Sequence, residues 1–523
     1  MTARDPGAGL VAWIAPVATG LLLAASAPPS PSPLLPFVAL APLAGWVATL
    51  PPGAAGALAV VRGGLLVGAL QHGWGLRWLP GTLAAVAGPA VGWSAAAAVV
   101  AVLAGFTAAA VWALHRLATG PRPVPLAVAL AVTWTALEWT LAHLPVGLAF
   151  PWAPLGLGLA RWPEALGVAE LAGVSGVTAW LAATSGLIAD AGVRARSGRA
   201  RPAWTTAGLA LLVGAAPAAW GVARAGALDA PVVGRVAALA LTVAPGGPAL
   251  DRATTGMSAV ERALAARAPG EADLIALPEM LLPLDLDTPA GAPLLARLRA
   301  LAGRAHAPVL VGVLGVEGRR EYNSALLVTA APGADGEPTP FRADKRRLVP
   351  GAERASAVRA PWLAAGQSAT GYTAGAGWPV ARLGALRVGA LVCYEVAFAA
   401  DARRLVRNGA NALVALTSDA WFGDGARGRA GVAQQTAHLA LRAVETRTGA
   451  VRASNGGPAL VLRPTGREEA HAEPGVAAGP LRASPRRTLF VRTGDLAGPA
   501  AVLLFVALLA LSFPRRHAFS GVG

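Results

Sequence analysis

The chain has 523 residues, only 14% of them charged, and its mean hydropathy of +0.53 is too apolar for a water-soluble chain of this length, so a membrane protein is the default. Its net charge is +16, yet the arginines are scattered or flank apolar runs, without the sustained basic helix or aromatic platform of a nucleic-acid binder. A single cysteine excludes a disulfide framework and a cysteine-based metal site, and the seven histidines are dispersed, so neither a metal nor another cofactor is expected.

Apolar stretches of membrane-spanning length lie near Gly9–Ala25, Leu34–Leu50, Gly63–Leu79, Gly88–Leu114, Val124–Leu144, Ala165–Ala191 and Ala203–Val222, with another at Leu496–Phe513. About seven α-helical spans followed by an eighth are expected. The first, preceded by Arg4, is similar to a signal peptide, but the spans that follow at once favour a retained helix. The alanine-rich fourth stretch is long enough to contain a re-entrant turn, and Arg62 is assigned to a helix start because a mid-span charge is costly. With the N-terminus inside, Arg4, Arg62, Arg116, Arg122, the Arg194–Arg201 loop and the Arg515–Arg516 tail are cytoplasmic, against Arg77 and Arg161 outside. That bias satisfies the positive-inside rule and puts the long segment between spans outside the cytoplasm. The division is then a bundle at 1–223, an extracytoplasmic domain at 224–495, a final span at 496–514 and a cytoplasmic tail at 515–523. Trp74, Trp78, Trp139, Trp152 and Trp162 fall near outer helix ends and read mainly as an interfacial belt. Phe150-Pro151-Trp152, beneath the large domain, is also a candidate for lipid entry.

The extramembrane segment alternates β-rich and helical patterns, as an α/β domain with its own core does. Strands are expected at Arg235–Val243, Asp273–Leu277, Pro308–Val316, Ser324–Thr329, Leu386–Cys393, Ala412–Thr417, Gly449–Ala453 and Thr488–Val491. Helices are expected at Ala249–Arg267, Pro293–Arg304, Asp401–Asn408 and Val432–Thr446. Glycine and proline between Ala331 and Pro340 suggest an exposed loop or hairpin.

One lysine, Lys345, survives among 44 basic residues, and a compact ammonium can serve a reacting centre where a broad guanidinium cannot. Three segments read as strand ends opening on one pocket: Leu274–Glu279, Lys345–Pro350 with Glu353 beyond it, and Gly389–Glu395, which contains the lone Cys393. A cysteine nucleophile needs a base and a donor for the developing oxyanion, and Glu279 and Lys345 supply those parts.

The order Pro-Glu, Lys, Cys-Tyr-Glu resembles the nitrilase, or carbon–nitrogen hydrolase, superfamily, which implies an α-β-β-α sandwich with a Glu-Lys-Cys triad. The membrane flanks, together with Phe150-Pro151-Trp152, Tyr322-Asn323-Ser324-Ala325, Leu348-Val349-Pro350, Ser418-Asp419-Ala420-Trp421-Phe422-Gly423, Arg442-Ala443-Val444-Glu445 and Arg452-Ala453-Ser454-Asn455, make the chain similar to the apolipoprotein N-acyltransferase family. The resemblance implies Cys393 as nucleophile, Glu279 as general base and Lys345 as oxyanion stabiliser, with supporting or substrate-binding positions at Glu353, Tyr394, Glu395 and Trp421. It further implies a bacterial inner-membrane enzyme, working as a monomer with a periplasmic catalytic domain. Such an enzyme moves an acyl chain from a phospholipid such as phosphatidylethanolamine, through a cysteine thioester, to the α-amino group of a diacylated apolipoprotein. Two departures stand out: Gly351-Ala352-Glu353-Arg354 replaces the family's Phe-Gly-Glu-Tyr, and Gln434-Gln435 replaces Gln-His. The competing readings are a membrane-anchored amidase acting on a small soluble substrate, and a scaffold or transporter with a catalytically dead outer domain.

Overall fold

A computed structural model describes residues 6–145, 147–244, 246–330, 341–354 and 371–513. The expected loop at 331–340, the cytoplasmic tail at 515–523 and Arg4 lie outside the described residues.

Among the described residues, four helices are long and apolar enough to cross a membrane: Ala54–Gly75, Pro89–Thr119, Pro163–Arg196 and Ala200–Gly226. Shorter apolar helical segments lie at Trp13–Ser26, Leu126–Ala142 and Ala497–Leu511, and at Leu35–Thr49, which is interrupted near its middle. Their outer faces suit hydrocarbon: Leu211 and Leu503 are each 72% exposed and Trp204 is 78% exposed, an arrangement that would be an aggregation hazard in water. Inside the bundle, small residues set the spacing. A Cβ on Gly64 or Gly68 would come within 2.7 and 2.5 Å of the Cα atoms of Ala108 and Ala104, so the two helices meet backbone to backbone through a small-xxx-small face.

Three expectations for the bundle are corrected. The stretch Leu34–Leu50 is two short helices, Leu35–Val38 and Ala41–Val47, each with proline in its first turn, where a missing N–H costs nothing and a new helix starts readily. The fourth stretch is one helix, Pro89–Thr119, with no re-entrant turn. Arg62 lies in the third turn of Ala54–Gly75 rather than at its start, and it is exposed, so its long side chain is free to reach toward a polar boundary.

Among the described residues, the segment after Gly226 builds one twelve-stranded sheet. In chain order its strands are β1 Val232–Leu241, β2 Leu274–Ala276, β3 Val309–Glu317, β4 Arg320–Val328, β5 Arg342–Asp344, β6 Val380–Leu383, β7 Leu386–Val392, β8 Ala412–Ser418, β9 Gly449–Asn455, β10 Ala459–Leu462, β11 Glu468–Ala472 and β12 Gly475–Arg482. The order β5-β4-β3-β2-β1-β9-β8-β7-β6 curls so that two halves face each other across Val236, Leu310, Val388, Val414 and Val451. Alternation along each strand sends the other side chains outward. On one half Leu239, Leu277 and Val311 meet the helices Ala249–Leu264 and Ala292–Ala305. On the other, Leu391, Leu413 and Ala450 meet Ala399–Arg407 and Gly425–Thr446. The layers are therefore helix, sheet, sheet, helix. Thr488–Val491, expected as a strand, is instead part of a helical turn, Leu489–Thr493, capped by the Thr488 side chain accepting from the Val491 N–H at 3.1 Å. The threonine and the apolar run behind it favour a strand locally, and the cap decides otherwise.

The outer helix pair meets the bundle directly. Gln434 accepts from the indole N–H of Trp78 at 2.9 Å and of Trp152 at 2.7 Å, and donates to the carbonyls of Gly75 and Pro28 at 2.8 and 3.2 Å. Trp78 and Trp152 are 6% and 3% exposed, so these two rings are packed at the seam and are not part of an interfacial belt.

Candidate active site

Glu279, Lys345 and Cys393 each lie just past the end of a strand. Glu279 follows β2 on a turn that crosses β3 at Gly312, where a Cβ would sit 2.5 Å from the Glu279 Cα and 2.3 Å from the Met280 nitrogen; only glycine permits that approach. Lys345 continues β5, its N–H donating to the Asn323 carbonyl of β4 at 2.8 Å. Cys393 ends β7 and opens the short 3-10 turn Cys393–Ala397. Its φ is +51°, a left-handed conformation that costs a non-glycine residue about 1–2 kcal/mol and throws the thiol clear of the strand.

These strand ends bring the charged groups together. The Lys345 ammonium donates to Glu279 Oε1 at 2.9 Å and to Glu353 Oε1 at 2.7 Å. It is 1% exposed. Asn323 Nδ2 bridges the same two carboxylates at 2.8 and 3.1 Å. The second oxygens are also held, Glu279 Oε2 by the Ser418 N–H at 3.0 Å and Glu353 Oε2 by the Val349 N–H at 2.8 Å. Glu353 is thus part of the cluster and not a solvated loop carboxylate.

Electrostatics follow from this dry packing. Burial raises the pKa of Glu279 above the usual carboxylate value, with Lys345 opposing and Glu353 reinforcing the shift. Burial works against the Lys345 ammonium, but Glu279, Glu353 and Cys393 outweigh it and hold the pKa well above that of ordinary lysine. The Cys393 thiol is pushed up by burial first and then by the charge of Glu279, with Lys345 favouring the thiolate. The resting site is therefore a neutral thiol close to a carboxylate pair that shares one ammonium.

The supporting positions divide by contact. Glu395 accepts from the backbone N–H of Val392 and of Arg346, both at 2.7 Å, tying the cysteine strand to the lysine segment. Tyr394 donates its hydroxyl to the Ala149 carbonyl of the bundle at 3.0 Å and stacks on Trp152 at 5.8 Å between centroids. Trp421 is half-buried; its neighbour Phe422 is the ring that packs edge-on against Trp78 at 4.9 Å. His438 donates through Nε2 to the Trp152 carbonyl at 2.9 Å.

Sequence reasoning missed Asn323, Gln434 and Gln435 as site residues. Asn323 carried a signal, since asparagine is disfavoured in the middle of a strand unless its side chain has work there. Gln435 donates to the Cys393 sulfur at 3.4 Å. A cavity of about 510 Å³ opens between domain and bundle, with Leu137, Leu141 and Phe150 on one wall and Arg347, Arg403 and Arg404 on the other.

Comparison with known proteins agrees over both parts of the chain. Residues 235–467 match the model of the carbon-nitrogen hydrolase family, and residues 19–187 match that of the apolipoprotein N-acyltransferase N-terminal domain. The apolipoprotein N-acyltransferase of Geobacter metallireducens is 28% identical over 523 aligned residues, covering 96% of each chain. That of Ralstonia nicotianae is 30% identical over 474, covering 85% of this chain and 84% of its own. Among solved structures, an amidase from Nesterenkonia sp. is 20% identical, with a TM-score of 0.35, over 51% of this chain and 96% of its own.

Proposed function

Because the chain belongs to the apolipoprotein N-acyltransferase family, we propose that it transfers an acyl chain from a phospholipid to the free α-amino group of the S-diacylglyceryl-cysteine of an apolipoprotein. The observation that supports this reading is the contact of Tyr394, the residue after the thiol, with Ala149 and Trp152, which brings the candidate nucleophile's segment against the apolar bundle. Both substrates keep their tails in hydrocarbon, and drawing a chain into water costs about 0.8 kcal/mol per CH₂.

In the first half-reaction the Cys393 proton passes to Glu279 as sulfur bonds to the ester carbonyl carbon. Lys345 stabilises the oxyanion. The C–O bond then breaks, and the leaving lysophospholipid oxygen takes the proton from Glu279. In the second, the amine nitrogen bonds to the thioester carbon, Glu279 accepts its proton, and the C–S bond breaks to give the amide and a thiolate that recovers that proton. Glu353 holds Lys345 from its second side.

The four long apolar helices and the four shorter apolar stretches among the described residues are read as about eight spans of a bacterial inner membrane, with the division at 1–223, 224–495, 496–514 and 515–523 and the catalytic domain outside the cytoplasm. Support comes from the arginine distribution. The donor is a phosphatidylethanolamine-like lipid, and the enzyme works as a monomer without cofactor.

The test incubates purified protein with labelled phospholipid and a diacylated lipopeptide. One acyl group on the peptide amine and a transient adduct at Cys393 are expected by mass spectrometry. Ammonia released from small amides, without any need for phospholipid, would replace this reading with a membrane-anchored amidase.

A further inference from the structure

The stretches Ser418–Gly423 and Arg452–Asn455 and the paired glutamines take no part in the steps above, yet they converge behind the sulfur. Gln435 and Arg452 are each 1% exposed. The Gln435 Nε2 donates to Cys393 Sγ at 3.4 Å, and its Oε1 accepts from Arg452 Nη2 at 3.1 Å. Arg452 donates through Nη1 to the Pro458 carbonyl at 2.8 Å and through Nη2 to buried Asp419, which also accepts from the Ser454 hydroxyl.

This chain of contacts decides which way round the amide lies. A guanidinium only donates, so the glutamine oxygen must face Arg452 and the NH₂ must face the sulfur. The reverse orientation would oppose two donors in a dry site, where an unmade hydrogen bond is expensive. A neutral thiol is a weak acceptor, whereas a thiolate takes a charge-assisted hydrogen bond about twice as strong. The contact therefore favours the ionised sulfur selectively.

We propose that Gln435 is a further catalytic group, its amide N–H held against the Cys393 sulfur by Arg452 to stabilise the thiolate at both ends of the reaction. As the sulfur proton moves to Glu279 and the S–C bond forms, Gln435 supports the developing charge. When the amine nitrogen has bonded to the acyl carbon and the C–S bond breaks, the electron pair returns to a sulfur already facing its donor. Arg452 and Asp419 touch no reacting atom and are positioning residues. The inference rests on the acyl-transfer reading only for the identity of the electrophile.

The test is alkylation of the full-length protein in detergent by iodoacetamide, followed from neutral to alkaline pH. Gln435→Met, which keeps the length and removes the donor, is expected to slow alkylation near neutrality roughly tenfold or more and to move the pH midpoint upward. Arg452→Lys, which keeps the charge and loses the fork, moves the midpoint the same way by less. A wild-type rate and midpoint in Gln435→Met overturns the proposal. Should that variant fail to melt cooperatively, Gln435→Glu replaces it, since a carboxylate still accepts from Arg452 but has no hydrogen for sulfur; an unmoved midpoint there overturns the proposal as well. Alkylation needs no lipid, so a protein that shows these shifts but moves no acyl group sinks the acyl-transfer reading alone.

Discussion

Lys345→Arg conserves charge and should nevertheless abolish most turnover. The ammonium stands 2.9 Å from Glu279 and 2.7 Å from Glu353 in a site that leaves it 1% exposed, and in the proposed mechanism its remaining hydrogen is the donor for the oxyanion. A guanidinium must spread three nitrogens in a plane where one tetrahedral nitrogen served three directions. Both carboxylates can still be met, because each keeps its Asn323 and backbone donors. The oxyanion position then loses its partner, a change that costs about 10²–10³ in kcat, or roughly 2.7–4 kcal/mol. Overpacking adds roughly 1–3 kcal/mol of lost stability. Acyl transfer to a diacylated lipopeptide, with melting of the same sample in detergent, separates the two effects. A Lys345→Arg enzyme within about threefold of wild type refutes the idea that the ammonium geometry, rather than its charge, is what the reaction uses.

Cys393→Ala should leave the fold intact and give no covalent acyl adduct with labelled phospholipid; an adduct of unchanged yield would place the nucleophile elsewhere. Gln434→Leu strands the indole N–H groups of Trp78 and Trp152, and two orphaned buried donors should cost roughly 2–6 kcal/mol, read as earlier melting and faster cleavage at the seam; an unchanged melt would show the clamp to be idle. His438 has its pKa lowered to about 3, by burial first and by Arg442 second. The native state therefore stays neutral where the unfolded chain takes up a proton, and stability is lost as pH falls below about 6.5. His438→Gln should show a smaller drop in melting temperature between neutral and mildly acidic buffer, and an unaltered drop would remove His438 as its source.

What could be seen in the chain beforehand was whatever local pattern dictates. Apolar runs ending in Glu279 and Cys393, and the lone lysine, stood out because a buried strand that stops at a reactive group is rare in sequence terms. Five strands escaped notice: β5, β6 and β10 have only three or four residues and no alternation long enough to register, and β11 and β12 are built largely from glutamate, alanine, glycine and proline, which carry little strand preference. Gln434 and Gln435 looked like a departure from a family pattern. Their significance lies in partners far along the chain, 356 residues away for Trp78, and no window of local sequence encodes such a contact. The buried state of Trp78 was hidden for the same reason: a tryptophan at a helix end reads as a membrane-interface ring until a second domain is known to cover it.

The seam between bundle and domain also explains where this chain spends its scarce charges. Glu170, at the start of the kinked helix Ala169–Arg196, pairs with Arg224 at 2.9 Å and with Arg447 of the catalytic domain. Glu445 pairs with Arg442 at 3.1 Å and accepts from the Val174 N–H at 3.0 Å. Ser175 donates to Asp495 at 2.6 Å. Buried pairs of this kind add little net stability, since desolvation offsets most of the attraction, but an unmatched partner costs about 3–5 kcal/mol. Their effect is to penalise every relative placement of the two parts except one. Such a penalty suits a site whose thiol is set by the domain and whose apolar surroundings are set by the bundle, because a shift of about 1 Å between reacting groups is enough to lose two orders of magnitude in rate.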